Sequence, residues 1–195
     1  LHLHSSFAPG GKELRAARLM NVFGPGIEHA VVSAQPGAHG AKAALDPGLQ
    51  VTFPGAFPSL QGRPTPLRLW RIAQAMRRFD LVLTYNWGAM DAVLAHRLYG
   101  RILSLPPLVH HEDGFNEDEA SGLKRSRNLF RRLALGRAAA LVVPSRRLEQ
   151  IALGAWKQPP ARVRLISNGI PVATYREAPA AGAIPGLAKI PGEKW

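Results

Sequence analysis

Two histidines, five acids and a glycine are packed into Val109-His110-His111-Glu112-Asp113-Gly114-Phe115-Asn116-Glu117-Asp118-Glu119, directly behind the apolar start Pro107–Val109. Ionisable groups at this density where a buried strand meets a loop cost folding energy. They also supply the groups that proton transfer and ligand holding require. In an open α/β sheet, ligands bind beyond the carboxyl ends of the strands, so this segment marks the expected active face. His110, His111 and Asp113 are the candidates for a polar catalytic role, with Glu112 and Gly114 lining the crevice. Imidazole and carboxylate would suit a metal. On an extended strand, however, His110 and Glu112 point one way and His111 and Asp113 the other. Only a sharp turn could converge them, so no metal and no cofactor is expected.

Two further loops belong with this segment. Gly10-Gly11-Lys12 follows a strand and opens a helix. Glycine permits close approach of a ligand, and a helix amino terminus favours anions. A bare strand-to-helix turn is the competing reading, and the three-glycine dinucleotide spacing is absent. Asn86-Trp87-Gly88 follows another strand on the same side. Asn86 and Trp87 could contact a sugar there, with core packing the competing role for Trp87. The chain has no cysteine, which excludes a thiolate nucleophile, a disulfide framework and zinc–thiolate sites. Gly-x-Ser-x-Gly is absent too, so no serine-hydrolase elbow is legible.

The 195 residues carry a net charge of +12, which attracts anionic partners. Lys124, Arg125, Arg127, Arg131, Arg132, Arg137, Arg146 and Arg147 fall in one stretch without an acid. At helical spacing Lys124, Arg127 and Arg131 share one edge, Arg125 and Arg132 another, and Leu129, Phe130 and Leu133 lie between. That pattern fits an interfacial helix facing anionic lipid, and equally a core-packed helix whose arginines reach past it to water. Nucleic acid is a poor fit, because the aromatics do not interleave with the arginines as stacking platforms require. No apolar run reaches the length of a spanning helix. No charged leader is visible, so the expected location is cytoplasmic, with peripheral contact at the inner face of the cell membrane.

The elements that position these residues alternate. Strands are expected at Leu1–Phe7, His29–Ala34, Leu49–Phe53, Asp80–Tyr85, Leu108–His111, Ala140–Pro144 and Val163–Ile166. Helices are expected at Leu14–Phe23, Leu67–Phe79, Trp87–Tyr99, Ser121–Arg137 and Leu148–Trp156, with Ser145 as an N-cap. Strands that are apolar throughout and alternate with helices predict a doubly wound, mostly parallel, Rossmann-like sheet in one domain over 1–170. Residues 171–195 lack periodicity and read as a linker. A start on Leu1 and an end within a linker predict a chain truncated at both ends.

In this order, Gly10-Gly11, the segment His110 to Phe115, Ala-Leu-Val-Val-Pro-Ser (Ala140 to Ser145) and Val-Arg-Leu-Ile-Ser-Asn-Gly-Ile (Val163 to Ile170) resemble one known family. They are similar to the N-terminal, acceptor-side domain of the retaining family-four (group 1) glycosyltransferases of the GT-B fold. The resemblance implies sugar transfer from a nucleotide-sugar donor to a glycan or lipid-linked acceptor, without metal. It implies that the Gly10, Gly11, Lys12 loop approaches donor phosphates or acceptor, and that Asn168 and Gly169 lead into an interdomain hinge. Many members carry His-Gly where this chain has Asp113-Gly114, and aspartate where it has Pro171. The family's polar role therefore passes to Asp113 or to a displaced His110 or His111. The donor-binding residues would sit in a second domain missing from these residues, leaving half an enzyme, inactive alone. The alternative is a non-catalytic basic α/β module that binds nucleic acid or anionic ligands.

Overall fold

The computed structural model describes residues 1–115, 119, 122–170, 172 and 176. The linker expected over 171–195, including Pro171, lies outside them apart from Val172 and Arg176, as does the helix start expected at Ser121. The described strands are β1 (His2–His4), β2 (His29–Ser33), β3 (Val51–Thr52), β4 (Val82–Tyr85), β5 (Leu108–His111), β6 (Ala140–Val143) and β7 (Val163–Leu165). They form one parallel sheet of seven strands in the order β3-β2-β1-β4-β5-β6-β7. Each expected strand is present and shorter by a residue or more, except β5, whose bounds match.

The helices are α1 (Gly11–Phe23), α2 (Pro66–Met76), α3 (Met90–Tyr99), α4 (Arg125–Ala134) and α5 (Arg146–Gly154). Local chemistry sets their starts. Thr65 caps α2 by accepting the Arg68 N–H, with Pro66 in the first turn. Ser145 caps α5 as expected, its Oγ accepting the Leu148 N–H at 3.3 Å. The helix expected from Trp87 begins later, at Met90, because Trp87–Ala89 forms a 3-10 turn. That turn is pressed on the β1 loop: a Cβ at Gly88 would stand 2.1 Å from Ser5 Cβ. Only glycine fits there.

Two buried clusters sandwich the sheet. Leu3, Val82, Leu108, Leu141 and Val143 pack with Ile72, Met76, Val93 and Ala152 in one of them. Phe7, Ala16, Met20, Val31 and Tyr85 form the other, beneath α1. Covered on both faces, the strands are mostly apolar, as parallel sheets favour, with buried His2, His4, His29, Thr84, His110 and His111 as the exceptions. Strand order reverses between β1 and β4. A doubly wound sheet opens its ligand crevice at such a reversal, and here the loops leading to α1 and Asn86 flank it.

Candidate functional site

A cleft of about 360 Å³ lies at that reversal, lined by Gly11, Lys12, Asn86, Asp113, Gly114, Phe115 and Asn168. Four crossings deliver these residues: the start of α1, the end of β4, the segment after β5 and the turn after β7. Asn86 holds two of them together. Its backbone takes φ 53° and ψ −169°, a strained combination that glycine ordinarily occupies and that the surrounding hydrogen bonds must hold. Its N–H donates to the His111 carbonyl at 2.8 Å, and its Oδ1 accepts the Asp113 N–H at 2.7 Å.

Arg15, one turn into α1, closes the rest of the ring. Its Nη1 lies 2.5 Å from Asp113 Oδ1 and its Nη2 donates to Asp113 Oδ2 at 2.9 Å. The same fork donates to Asn168 Oδ1 at 2.6 Å and lies 3.4 Å from His111 Nδ1. One charge-assisted hydrogen bond and one ion-pair contact hold the carboxylate against the fork, while Asp113 Oδ1 and Arg15 Nε have no hydrogen-bond partner among the described residues. Burial pushes the Asp113 carboxyl upward and the Arg15 guanidinium pulls it back, leaving it raised from its ordinary value. Lys12 pairs with the buried Glu13 and reaches Ser5 Oγ at 3.4 Å. A Cβ at Gly11 would meet nothing within 4 Å, whereas one at Gly10 would meet Glu13 Oε2 at 2.7 Å. Gly11 therefore leaves room in the cleft that the protein itself does not fill.

Behind the cleft stand neutral rings. His111 stacks on Tyr85 with centroids 5.0 Å apart, and Tyr85 stacks on His4 at 4.0 Å. Burial, reinforced by nearby cations, holds His4 and His111 down to about 3. His111 thus supports the cleft wall without lining it.

Several expectations are corrected by the alternation along β5. His110 and Glu112 turn to the opposite side of the sheet from Asp113 and are fully buried. His110 meets Thr84 Oγ1 at 2.8 Å and Glu112 Oε2 at 3.5 Å, so neither His110 nor Glu112 reaches the crevice. Trp87 does not line it either. Its ring is occupied by Arg127 at 4.7 Å, Arg131 at 4.9 Å and Phe130 at 5.5 Å. Arg131, expected on a membrane-facing edge, has no exposed surface. Its Nε donates to Glu112 Oε2 at 3.2 Å and its Nη2 to Glu119 Oε2 at 3.2 Å. Arg127 also donates to Glu119, at 3.0 Å, and the Lys124 backbone N–H donates to Glu119 Oε1 at 3.3 Å. Lys124 itself is exposed. Leu129 and Leu133 face solvent, so α4 sits inverted relative to the expected stripe.

The structure thus brings together Gly11, Lys12, Asn86, Asp113, Gly114 and Asn168, while Gly10 and Gly169 adjoin the cleft in sequence. Sequence reasoning missed Arg15, Ser5 and Glu13. The signal for Arg15 was present, since a helix opening at Gly11 places residue 15 one turn on, over the same cleft.

The profile of Glycosyltransferase Family 4 matches residues 9–174. No curated protein matches the chain. Two solved structures of Anabaena Alr3699/HepE share the fold. One is in complex with UDP and glucose, the other with UDP-glucose. Both superpose with a TM-score of 0.62, at 17% and 18% identity, over 92% of this chain and 47% of that one. The chain spans about half the length of those proteins. With a parallel sheet, a cleft at its reversal and a family profile running from the glycine loop through the Asn168 turn, the chain belongs to glycosyltransferase family 4.

Proposed function

We propose that residues 1–170 form the acceptor-binding half of a retaining glycosyltransferase. It moves a sugar from a nucleotide-sugar donor to a glycan or lipid-linked acceptor. The observation that carries this reading is the cleft at the strand reversal, where Gly11 keeps open space against the fixed carboxylate of Asp113. Family membership supplies the reaction class, and the UDP-glucose complex of the Anabaena protein suggests a UDP-sugar as donor. Asp113 takes the polar role at the reacting sugar, Asn86 and Arg15 orient it, and Asn168 and Gly169 lead toward the donor half. The chemistry separates a diphosphate from an oxocarbenium-like sugar, which fixed dipoles and charges stabilise without a metal. Such an enzyme needs its second half for turnover, and it works in the cytoplasm at the membrane's inner face.

The test is transfer from UDP-glucose by the protein that contains this chain, with the product anomer read by NMR. Gly11→Trp should abolish transfer, because its side chain fills the cleft. It should leave folding intact, since no neighbouring atom lies in the way. Chelation of divalent metal should leave the rate unchanged. An inverted anomer, or full activity in Gly11→Trp, would refute the reading.

A further inference from the structure

We propose that Arg97, Arg101, Arg137 and Arg162 form a binding site for a diphosphate group, on the edge of the sheet opposite the cleft. α3 follows β4 and ends at Tyr99, where the chain turns back to enter β5. Arg97 and Arg101 flank that end. A 3-10 turn over Leu135–Arg137 leads into β6, and another over Pro160–Arg162 leads into β7. Parallel strands all begin at one edge, so Arg137 and Arg162 stand at the amino edge, away from the carboxyl-edge cleft. Two glycines let the side chains converge. A Cβ at Gly136 would stand 3.3 Å from Arg97 Nε, and the Gly136 carbonyl accepts from Arg162 Nη1 at 2.7 Å. A Cβ at Gly100 would stand 3.7 Å from Arg137 Nε.

This cluster holds positive charge that the protein does not match. Among the described residues, none of the four arginines pairs with a carboxylate. Arg137 Nε is buried without an acceptor there. His96, in the last turn of α3, is lowered from its ordinary value by burial, with Arg137 adding to the shift; the Pro106 carbonyl opposes it and no carboxylate does. The carboxyl ends of α3 and α4 each present about half a negative charge, which offsets about one of the four positive charges. A single phosphate brings about two negative charges at most, so two phosphates are needed to match the rest. Guanidinium forks grip phosphate oxygens in pairs, which lysine does not. Arg97 and Arg101 are exposed, so a ligand reaches them from solvent. Nucleic acid would need a basic stripe along its backbone and free rings for its bases. Tyr99, in the same turn, spends its ring edge-on against Trp70 instead.

Methyl NMR of the isoleucine-labelled protein that contains this chain tests the site through Ile102, which is exposed beside Arg101. Inorganic pyrophosphate should shift its methyl saturably. Inorganic phosphate at matched ionic strength should bind about tenfold more weakly. UDP separates the sources of the diphosphate: a saturable shift marks a nucleoside diphosphate as a ligand, and no shift restricts the site to the free anion. Arg97→Gln with Arg101→Gln should weaken pyrophosphate by about tenfold or more. Arg18→Gln with Arg147→Gln, an equal loss of charge on α1 and α5, should leave it within about twofold. All four positions are exposed, so both variants fold. No saturable shift, equal affinity for phosphate and pyrophosphate, or equal weakening in the two variants overturns the proposal. So does RNA or an anionic vesicle moving Ile102 where pyrophosphate does not.

Discussion

Arg131 is a guanidinium removed entirely from water, which is tolerable only with charge partners and rings around it. Glu112 and Glu119 supply the charges. Trp87, Phe115 and Trp156 supply ring faces at 4.9, 5.3 and 5.1 Å. Glu112 immediately precedes Asp113, and Phe115 lines the wall, so Arg131 anchors the segment that delivers both. Arg131→Met keeps the length of the side chain, strips the buried Glu112 of its cation and leaves Glu119 only Arg127 and the Lys124 N–H. It should destabilise the protein by about 3–5 kcal/mol, read by urea denaturation. A loss below about 1 kcal/mol would show that the carboxylates reach water instead. For Arg15 the sequence carried its position over the cleft but not its partners, and for Arg131 not even the side it faces. Helical spacing reports which residues share an edge and not which edge meets the sheet. The acids that decide for Arg131 lie 19 and 12 residues away, and Arg15 finds Asp113 and Asn168 at separations of 98 and 153. Such pairings exist only once the strands are in register.

At the scale of elements, β1 is the informative case. Its two-residue alternation places His2 and His4 on the face beneath α1, where neighbouring strands add Tyr85 and His111. His2 Nδ1 meets the Tyr85 hydroxyl at 3.0 Å and His2 Nε2 meets His29 Nδ1 at 3.1 Å, while both ring nitrogens of His4 are without a partner among the described residues. Burial is the main reason that His2, His4, His29 and His111 all hold protons more weakly than a free histidine. The unfolded chain therefore binds more protons. Stability should be fully present above about pH 6.5 and fall as pH drops toward the folded value near 3. His4 and His111 each contribute a slope of about 1.4 kcal/mol per pH unit in that window. Urea midpoints between pH 7 and 5 should decline steeply in the wild type and less steeply in His4→Phe, which keeps the ring stack. Equal slopes would remove His4 from the account. The element pattern itself was readable: all seven strands, the α5 cap and the exit of β5 follow from apolar runs and one serine. Misplaced starts and faces trace to contacts between elements, the Ser5–Gly88 approach for α3 and the Glu112–Glu119 pair for α4.

For the whole molecule, the distribution of charge matters more than its sum. The doubly wound, parallel sheet with its ligand face at the carboxyl ends of the strands was legible because strand–helix alternation admits few topologies; the order of its strands came only from the structure. The cleft's charge balance was not legible, because each pairing joins side chains whose approach depends on the fold. Among the described residues, no helix is long and apolar enough to cross a membrane. The outward side of α4 nevertheless presents Arg125, Leu129, Arg132 and Leu133 together, with the two leucines 56% and 59% exposed. Leucines outward and an arginine inward is the reverse of an ordinary core-packed helix, and it is the arrangement that an interfacial helix offers to anionic lipid. The docking edge proposed for this protein is therefore Arg125 and Arg132 with the two leucines, replacing the edge of Lys124, Arg127 and Arg131. Vesicles containing phosphatidylserine should co-sediment the protein while neutral phosphatidylcholine vesicles do not. Each basic residue near such a surface contributes about 1 kcal/mol, so Arg125→Gln with Arg132→Gln should lower the partition by roughly tenfold or more. Replacing Leu129 and Leu133 by serine should weaken binding even at high salt, where the charge contribution is screened. Equal partition to both kinds of vesicle, or no change in either double variant, would place the contact elsewhere or abolish it.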